Sequence, residues 1–114
     1  NKSLDFSFEN YTASDIEITE IWADRGNIGD LQDLSFPIVV SKESSKQIKF
    51  VDSHFEFSYS LIFKADGKSY RIPRLSEGTV ELYFDEESQK YSANLRRPVL
   101  GCTLDDSYDV IECE

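Results

Sequence analysis

Apolar and polar residues alternate with a period of two along most of this chain. The longest run places apolar side chains at every second position, namely Phe55, Phe57, Tyr59, Leu61 and Phe63. Such alternation gives a β-strand one apolar face and one polar face. No stretch long enough for a helix shows the 3.6-residue period of an amphipathic helix. The pattern therefore predicts an all-β protein.

Shorter runs of the same kind recur between turn signals and indicate about seven to nine short strands. Strands that each carry one apolar face need two packed sheets to bury those faces. We therefore expect a single antiparallel β-sandwich domain over residues 1–114, with a small closed β-barrel as the alternative. The 114 residues, of which 39% are hydrophobic, are enough for one core of this size.

The first of two hairpins can be registered from its turn. Residues 65–68 contain Asp-Gly, the signal of a two-residue type I′ turn in which both central residues adopt positive φ. This turn pairs Phe63 with Tyr70 and Leu61 with Ile72. All four side chains then lie on one apolar face, so the pattern and the turn agree.

The second hairpin turns through residues 85–90. Pairing Phe84 with Tyr91 also places Leu82 opposite Ala93. One face of this hairpin is again apolar, which favours a place against the same core.

Four residues are expected to interrupt the regular strands. The apolar phase slips near Glu20, which predicts a β-bulge. Pro73 has no N–H to donate, so we expect residues 70–75 to form an edge strand or to break there. Pro37 places its segment at the periphery, and Pro98 marks a strand boundary.

The only two cysteines, Cys102 and Cys113, favour one disulfide made in an oxidising compartment. The chain has no Met, which we interpret as removal of a signal peptide, so we expect a periplasmic or secreted protein. The alternatives are two buried thiols in a cytosolic protein, or a hairpin turning at Asp105 and Asp106 that holds the thiols apart.

The acidic excess restricts the possible partners. Lys and Arg total 12 whereas Asp and Glu total 22, so the formal net charge is −10. Phosphate backbones repel such a chain, which argues against nucleic-acid binding. No apolar run approaches the ~18 residues of a membrane-spanning helix, so we expect a soluble protein. The partner most compatible with this charge is another protein that has a basic site.

Residue types suited to catalysis are sparse. His54 is the only histidine, and no serine lies in a Gly-x-Ser-x-Gly elbow. One histidine and two distant cysteines do not make a tetrahedral zinc site. Carboxylates are abundant, but paired acids need a deep cleft, which a small sandwich rarely offers. We therefore expect a protein that is not an enzyme and needs no cofactor.

Clustered acids and aromatic residues outside the predicted core are the candidate partner-binding residues. The acidic candidates are Asp85, Glu86 and Glu87 at the second hairpin and Asp105, Asp106 and Asp109 in a tail expected to form a loop; the aromatic candidates are Tyr83, Tyr108 and Trp22. Tyrosine and tryptophan are common interface anchors. The set predicts a protein-binding domain, most concretely an inhibitor or immunity-type protein that blocks a basic toxin or hydrolase.

Two other classes of function stay open. A calcium- or carbohydrate-binding adhesion module would use the loop that contains Asp24, Asn27, Asp30 and Asp33 as calcium ligands, with Trp22 against a sugar ring. A solvated turn is the plainer interpretation of that loop. A structural or assembly subunit would use the edge strand near Pro73, and a homodimer would place the basic first hairpin of one copy against an acidic loop of the other.

Overall fold

The computed structural model describes residues 2–23, 26–27, 34–52, 59–75, 77–99 and 102–113. Within them the chain forms eleven strands and no helix. The strands are β1 (Lys2–Asn10), β2 (Ile16–Ala23), β3 (Gly26–Asn27), β4 (Ile38–Val40), β5 (Ser45–Asp52), β6 (Tyr59–Ala65), β7 (Lys68–Leu75), β8 (Gly78–Asp85), β9 (Lys90–Val99), β10 (Cys102–Asp109) and β11 (Ile111–Glu112). The sequence predicted fewer strands because β3, β4 and β11 have only two or three residues each, too few to show alternation.

These strands form two sheets. The first sheet has the order β10-β9-β8-β1-β5, and the second has the order β11-β7-β6-β2-β3, with β4 also paired to β2. The buried apolar faces of the two sheets form one hydrophobic cluster, so the fold is the predicted β-sandwich, and the described strands do not close into a barrel. One pair, β1 with β8, is parallel. Among the described residues, no helix has the length and apolar character that a membrane span requires.

Large aromatic side chains dominate the core. Phe6, Phe8, Phe50 and Phe63 are fully buried between the sheets. Each buried side chain of this size contributes roughly 1.5–3 kcal/mol relative to an exposed one. The Cα radius of gyration is 13.6 Å, close to the value expected for a compact chain of this length.

The β6–β7 hairpin has the predicted register. Asp66 and Gly67 have φ values of 52° and 79°, as a type I′ turn requires. Phe63 pairs with Tyr70, and Leu61 pairs with Ile72. The β8–β9 hairpin is also as predicted, because Phe84 pairs with Tyr91 and Leu82 with Ala93.

The predicted bulge in β2 is confirmed. The register between β2 and β6 shifts between Ile18 and Glu20, so one extra residue is inserted there. Beyond the bulge Ile21 is buried and Trp22 is exposed. The bulge therefore resolves the apparent conflict between these two large side chains.

Pro73 has an effect that differs from the predicted one. The register between β6 and β7 shifts near Ser60, and Arg74, next to Pro73, has a φ of 61°. β7 is not an edge strand, because β11 pairs with it at Tyr70 and Arg71. That pairing ends before Pro73, where no N–H is available to continue it.

The other two prolines had opposite outcomes. Pro37 precedes β4, which lies at the periphery of its sheet as expected. Pro98 does not end a strand, because it lies inside β9 and pairs with Thr103. The pairing of β9 with β8 ends at Arg96, so Pro98 has a described neighbouring strand on one side only, a position that tolerates proline.

The acidic tail is a strand and not the expected loop. β10 runs through Asp105 and Asp106 without a turn and pairs antiparallel with β9. This register places Asp105 opposite Arg96 and Asp106 opposite Leu95. The chain stays extended there because its backbone pairs with β9 along the whole length of β10.

The predicted disulfide is wrong, since Cys113 is a free thiol. Cys102 begins β10 in the first sheet, whereas the backbone N–H of Cys113 donates to the carbonyl oxygen of Ser69 in the second sheet (2.8 Å). An eight-residue strand spans about 23 Å from its first to its last Cα atom. A disulfide needs Cα atoms only about 4.4–6.8 Å apart, so the extended β10 keeps the cysteines separate.

Candidate protein-binding surface

Two tyrosines are stacked on the outer face of the first sheet. The ring centroids of Tyr11 and Tyr83 are 5.2 Å apart, and their planes differ by 8°. The parallel register of β1 and β8 brings them together, because Asn10 pairs with Leu82 and the Tyr11 N–H donates to the Leu82 carbonyl oxygen (3.0 Å). Both rings remain accessible, with 51% of Tyr11 and 40% of Tyr83 exposed.

Glu9 lies beside the hydroxyl end of Tyr11. The Tyr11 hydroxyl donates a hydrogen bond to the Glu9 carboxylate. This bond, together with desolvation and the negative charge of Glu9, raises the pKa of Tyr11 to about 12. The same bond holds the Glu9 carboxylate at the hydroxyl end of the Tyr11 ring.

Glu81 is a buried acid on the same outer face, with only 5% of the residue exposed. Asn94 donates to its Oε1 atom (2.9 Å), and an Arg96 nitrogen lies 3.7 Å from the same oxygen. Burial, the charge of Glu81 and a hydrogen bond to Glu81 raise the pKa of Tyr83. Glu81 therefore has the partners that a buried carboxylate requires.

The tip of the β8–β9 hairpin projects an acidic group of side chains. Asp85, Glu86 and Glu87 are all exposed. Asp85 shapes the turn, since its carboxylate accepts from the Glu87 N–H (3.0 Å) and from the Ser88 hydroxyl (3.1 Å). The side chain of Gln89 also donates to the Glu86 carbonyl oxygen (2.7 Å). These bonds order the tip and leave the carboxylates of Glu86 and Glu87 at the surface.

A cleft lies behind this tip, where the ends of the two sheets face each other. Its volume is about 460 Å³, and its lining includes Tyr70, Tyr91, Lys68, Gln89 and Val110. Tyr91 is buried, and burial is the main reason why its pKa is raised. The acidic tip therefore borders an open cleft whose lining is partly aromatic.

We use the name tyrosine–acid surface for Glu9, Tyr11, Tyr83, Glu86 and Glu87. The parallel strand pair positions the first three residues, and the β8–β9 hairpin positions the last three. Tyr83, Glu86 and Glu87 were predicted from the sequence, and the structure places them at one end of the first sheet. Asp85 also lies there, although its carboxylate is used within the turn.

Trp22 does not belong to this surface. It lies on β2 in the second sheet, pairs in register with Ser60 and is 41% exposed. Because the core separates the two outer faces, Trp22 and Tyr83 cannot anchor the same small contact.

The tail residues lie on the far side of the hairpin from Tyr11. The backbone of Asp109 pairs with Ser92, and Ser92 pairs with Tyr83, so Asp109 is two strands away from Tyr83. Tyr108 pairs in register with Ala93. The side chains of Asp105, Asp106, Tyr108 and Asp109 lie outside the described part of the chain.

The predicted calcium loop also falls largely outside the described residues. Asp24, Asp30 and Asp33 are not described, and of Asn27 only the backbone is described, as part of β3. His54 is outside as well. Over the described ranges, no three His, Cys, Asp or Glu side chains are grouped as metal ligands would be.

Tyr11 was not among the binding residues predicted from the sequence. The outward phase of β1 runs through Glu9 to Tyr11, so extending the alternation by one step predicts that Tyr11 points outward. Its contact with Tyr83 follows from the parallel pairing of distant strands, which no local pattern shows. Asn10 and Thr12 on either side look like a glycosylation site, yet both are buried and the Asn10 amide is hydrogen-bonded.

Comparisons of the chain with protein-family models, with curated proteins and with solved structures found no match. Function is therefore inferred from the chemistry of the surface.

Proposed function

We propose that this protein is a non-enzymatic protein-binding domain that recognises a basic partner through the tyrosine–acid surface. The observation that carries the proposal is the exposed, stacked pair of Tyr11 and Tyr83, with the half-exposed carboxylate of Glu9 bonded to Tyr11. Isolated exposed aromatics are ordinary, but two that are packed in parallel next to acids form a small patch of defined shape.

The tyrosine pair suits an interface on energetic grounds. Tyrosine contributes a large contact area and loses little conformational entropy when it is covered. The stacking of Tyr11 on Tyr83, and the hydrogen bond from Tyr11 to Glu9, restrict the rings before a partner arrives. Such preorganisation lowers the cost of association.

The negative charge of the surface indicates that the partner's binding site is positively charged. Glu9, Glu86 and Glu87 make this surface negative, and the whole chain, these residues included, has a formal net charge of −10. Complementary fields accelerate encounter and select among partners. A partner with a basic site therefore associates faster than a neutral or acidic one of the same shape.

The most concrete form of the proposal is an inhibitor or immunity-type protein. The hairpin tip is narrow, exposed and ordered by the bonds of Asp85 and Gln89. A tip of this kind fits the mouth of an active site lined by cations, such as that of a basic toxin or hydrolase. The adjacent tyrosines then cover the rim of that site.

Affinity capture from the source organism at low salt tests the proposal. The immobilised wild-type protein is expected to retain a basic protein, and the double variant Glu86→Gln/Glu87→Gln is expected to retain much less of it. The double variant Glu17→Gln/Glu77→Gln is the matched control, because it removes the same charge from exposed positions outside the tyrosine–acid surface. Equal retention of the basic protein by the wild type and both double variants contradicts the proposal. Retention that does not fall as the salt concentration rises contradicts it as well.

A second candidate function is carbohydrate binding, favoured by the exposed Trp22 on the outer face of the second sheet. Soluble oligosaccharides that bind there should change the fluorescence of this single tryptophan. Calcium binding and self-association remain the other proposals. Calorimetry with calcium tests the first, and light scattering over a range of concentrations tests the second.

A further inference from the structure

We infer that Glu9 and Tyr11 form a subsite for an arginine side chain of the partner. The inference rests on the proposed function and adds to it the chemical group that the surface recognises. It depends on a repeated arrangement within the first sheet.

The arrangement is a glutamate followed two residues later by a tyrosine on the same face. It occurs as Glu9 and Tyr11 at the end of β1, and as Glu81 and Tyr83 on β8. The parallel register places Glu9 directly beside Glu81, and the two tyrosines are stacked. The sheet therefore holds two copies of one motif side by side.

One copy is complete within the protein. An Arg96 nitrogen lies 3.7 Å from the Glu81 carboxylate, and the charge of Arg96 also acts on Tyr83. An arginine, a glutamate and a tyrosine are thus grouped on β8 and β9. Asn94 completes the set of contacts to Glu81.

The other copy has no such cation among the described residues. The contact that the structure shows for the Glu9 carboxylate is the hydrogen bond from the Tyr11 hydroxyl. Two carboxylates in neighbouring register positions repel each other, and Arg96 is paired with Glu81. A second cation beside Glu9 relieves this repulsion, and a partner is the source that an exposed position allows.

The chemistry of the subsite favours a guanidinium group over an ammonium group. Tyr83 covers one face of the Tyr11 ring, whereas half of Tyr11 remains exposed. A planar guanidinium can stack on an open tyrosine face and donate to a carboxylate at the ring edge at the same time. A lysine ammonium is a compact point charge and gains less from the flat ring.

The test is an NMR titration of the purified protein with two blocked tripeptides, Gly-Arg-Gly and Gly-Lys-Gly. The arginine peptide should shift the ring signals of Tyr11 and Tyr83 and should bind several-fold more tightly than the lysine peptide. Glu9→Gln and Tyr11→Leu should each weaken arginine binding by about tenfold, the scale of one charge-assisted contact. Glu17→Gln, which removes an exposed acid from β2 in the second sheet, should leave it unchanged.

Equal binding of the two peptides, or equal effects of Glu9→Gln and Glu17→Gln, overturns the inference, because either result indicates general attraction to an acidic protein. Thermal unfolding of each variant checks that it is folded. The titration uses no natural partner, so it separates the two proposals. If the protein captures a basic protein but the arginine peptide causes no specific shift of the tyrosine signals, the proposed function stands and the arginine subsite is ruled out.

Discussion

Asn10 joins three segments of the chain through one side chain. Its Nδ2 atom donates to the carbonyl oxygens of Ser14 (2.8 Å), Val40 (3.1 Å) and Ser41 (3.2 Å). Its Oδ1 atom accepts from the backbone N–H of Thr12 (2.9 Å). Asn10, Thr12 and Val40 are all buried, so the Val40 carbonyl oxygen and the Thr12 N–H have little access to bulk water if the amide is removed.

Replacement of Asn10 is therefore expected to be costly. Asn10→Ala should lower the free energy of unfolding by about 2–3 kcal/mol, because it removes the hydrogen bonds to the buried Val40 carbonyl oxygen and the buried Thr12 N–H. Urea unfolding measures the change. Glu77→Ala, at an exposed position outside these segments, is the control and should stay within about 0.5 kcal/mol. An equally small effect of Asn10→Ala would contradict this role.

Tyr11 makes the stability of the protein depend on alkaline pH. Its pKa is raised from 10.0 to about 12, mainly by the hydrogen bond to Glu9. The resulting stabilisation is present below pH 10 and is lost as the pH rises from 10 to about 12, because the unfolded chain ionises first. Tyrosinate absorbance of the wild type and of Tyr11→Phe, taken as a difference, reports this titration.

The same titration in Glu9→Gln separates the causes of the shift. The amide carries no charge and accepts a weaker hydrogen bond, so the pKa of Tyr11 should fall back towards 10.0. A Tyr11 that titrates identically in Glu9→Gln and in the wild type would rule out Glu9 as the cause.

At the scale of elements, the β6–β7 hairpin shows how a turn sets a register. Gly67 has a φ of 79°, and a Cβ atom added there would contact nothing within 4 Å. Glycine is thus required by backbone conformation and not by lack of space. Because Asp66 also has positive φ, the turn twists with the strands and pairs Phe63 with Tyr70.

Gly67→Ala should lower the free energy of unfolding by about 1–2 kcal/mol, the cost of a left-handed conformation for a residue with a Cβ atom. Asp66→Asn is the matched control in the same turn, since asparagine also tolerates this conformation, and it should change stability by less than about 0.5 kcal/mol. Thermal unfolding of the two variants makes the comparison. Equal melting temperatures would show that the turn does not need glycine.

At the scale of the whole molecule, the net charge of −10 opposes the compact state. Raising NaCl from about 0.01 M to about 0.15 M shortens the Debye length from roughly 30 Å to roughly 8 Å. At neutral pH we expect this to raise the free energy of unfolding by about 0.5–1 kcal/mol. Near the isoelectric point of about 4.5 the same salt should have little effect. Destabilisation by salt at neutral pH would contradict the expectation.

The candidate surface shows where prediction from sequence ends. Tyr83, Glu86 and Glu87 could be found because strand alternation and a hairpin turn are local properties. Tyr11 could not be linked to Tyr83, because the parallel pairing of β1 and β8 joins positions about seventy residues apart. The tail was misjudged for the same reason, since the strand β10 forms through its pairing with β9, which the tail's own sequence does not show.

The sequence by itself determined the fold class, the two hairpin registers and the bulge in β2, because side-chain alternation and turn chemistry act between neighbours along the chain. Only the tertiary structure decided which strands lie side by side. That choice separated Cys113 from Cys102, made β10 a strand and stacked Tyr11 on Tyr83. Sheet order depends on how whole apolar faces pack together, and that packing is a property of the assembled sheets.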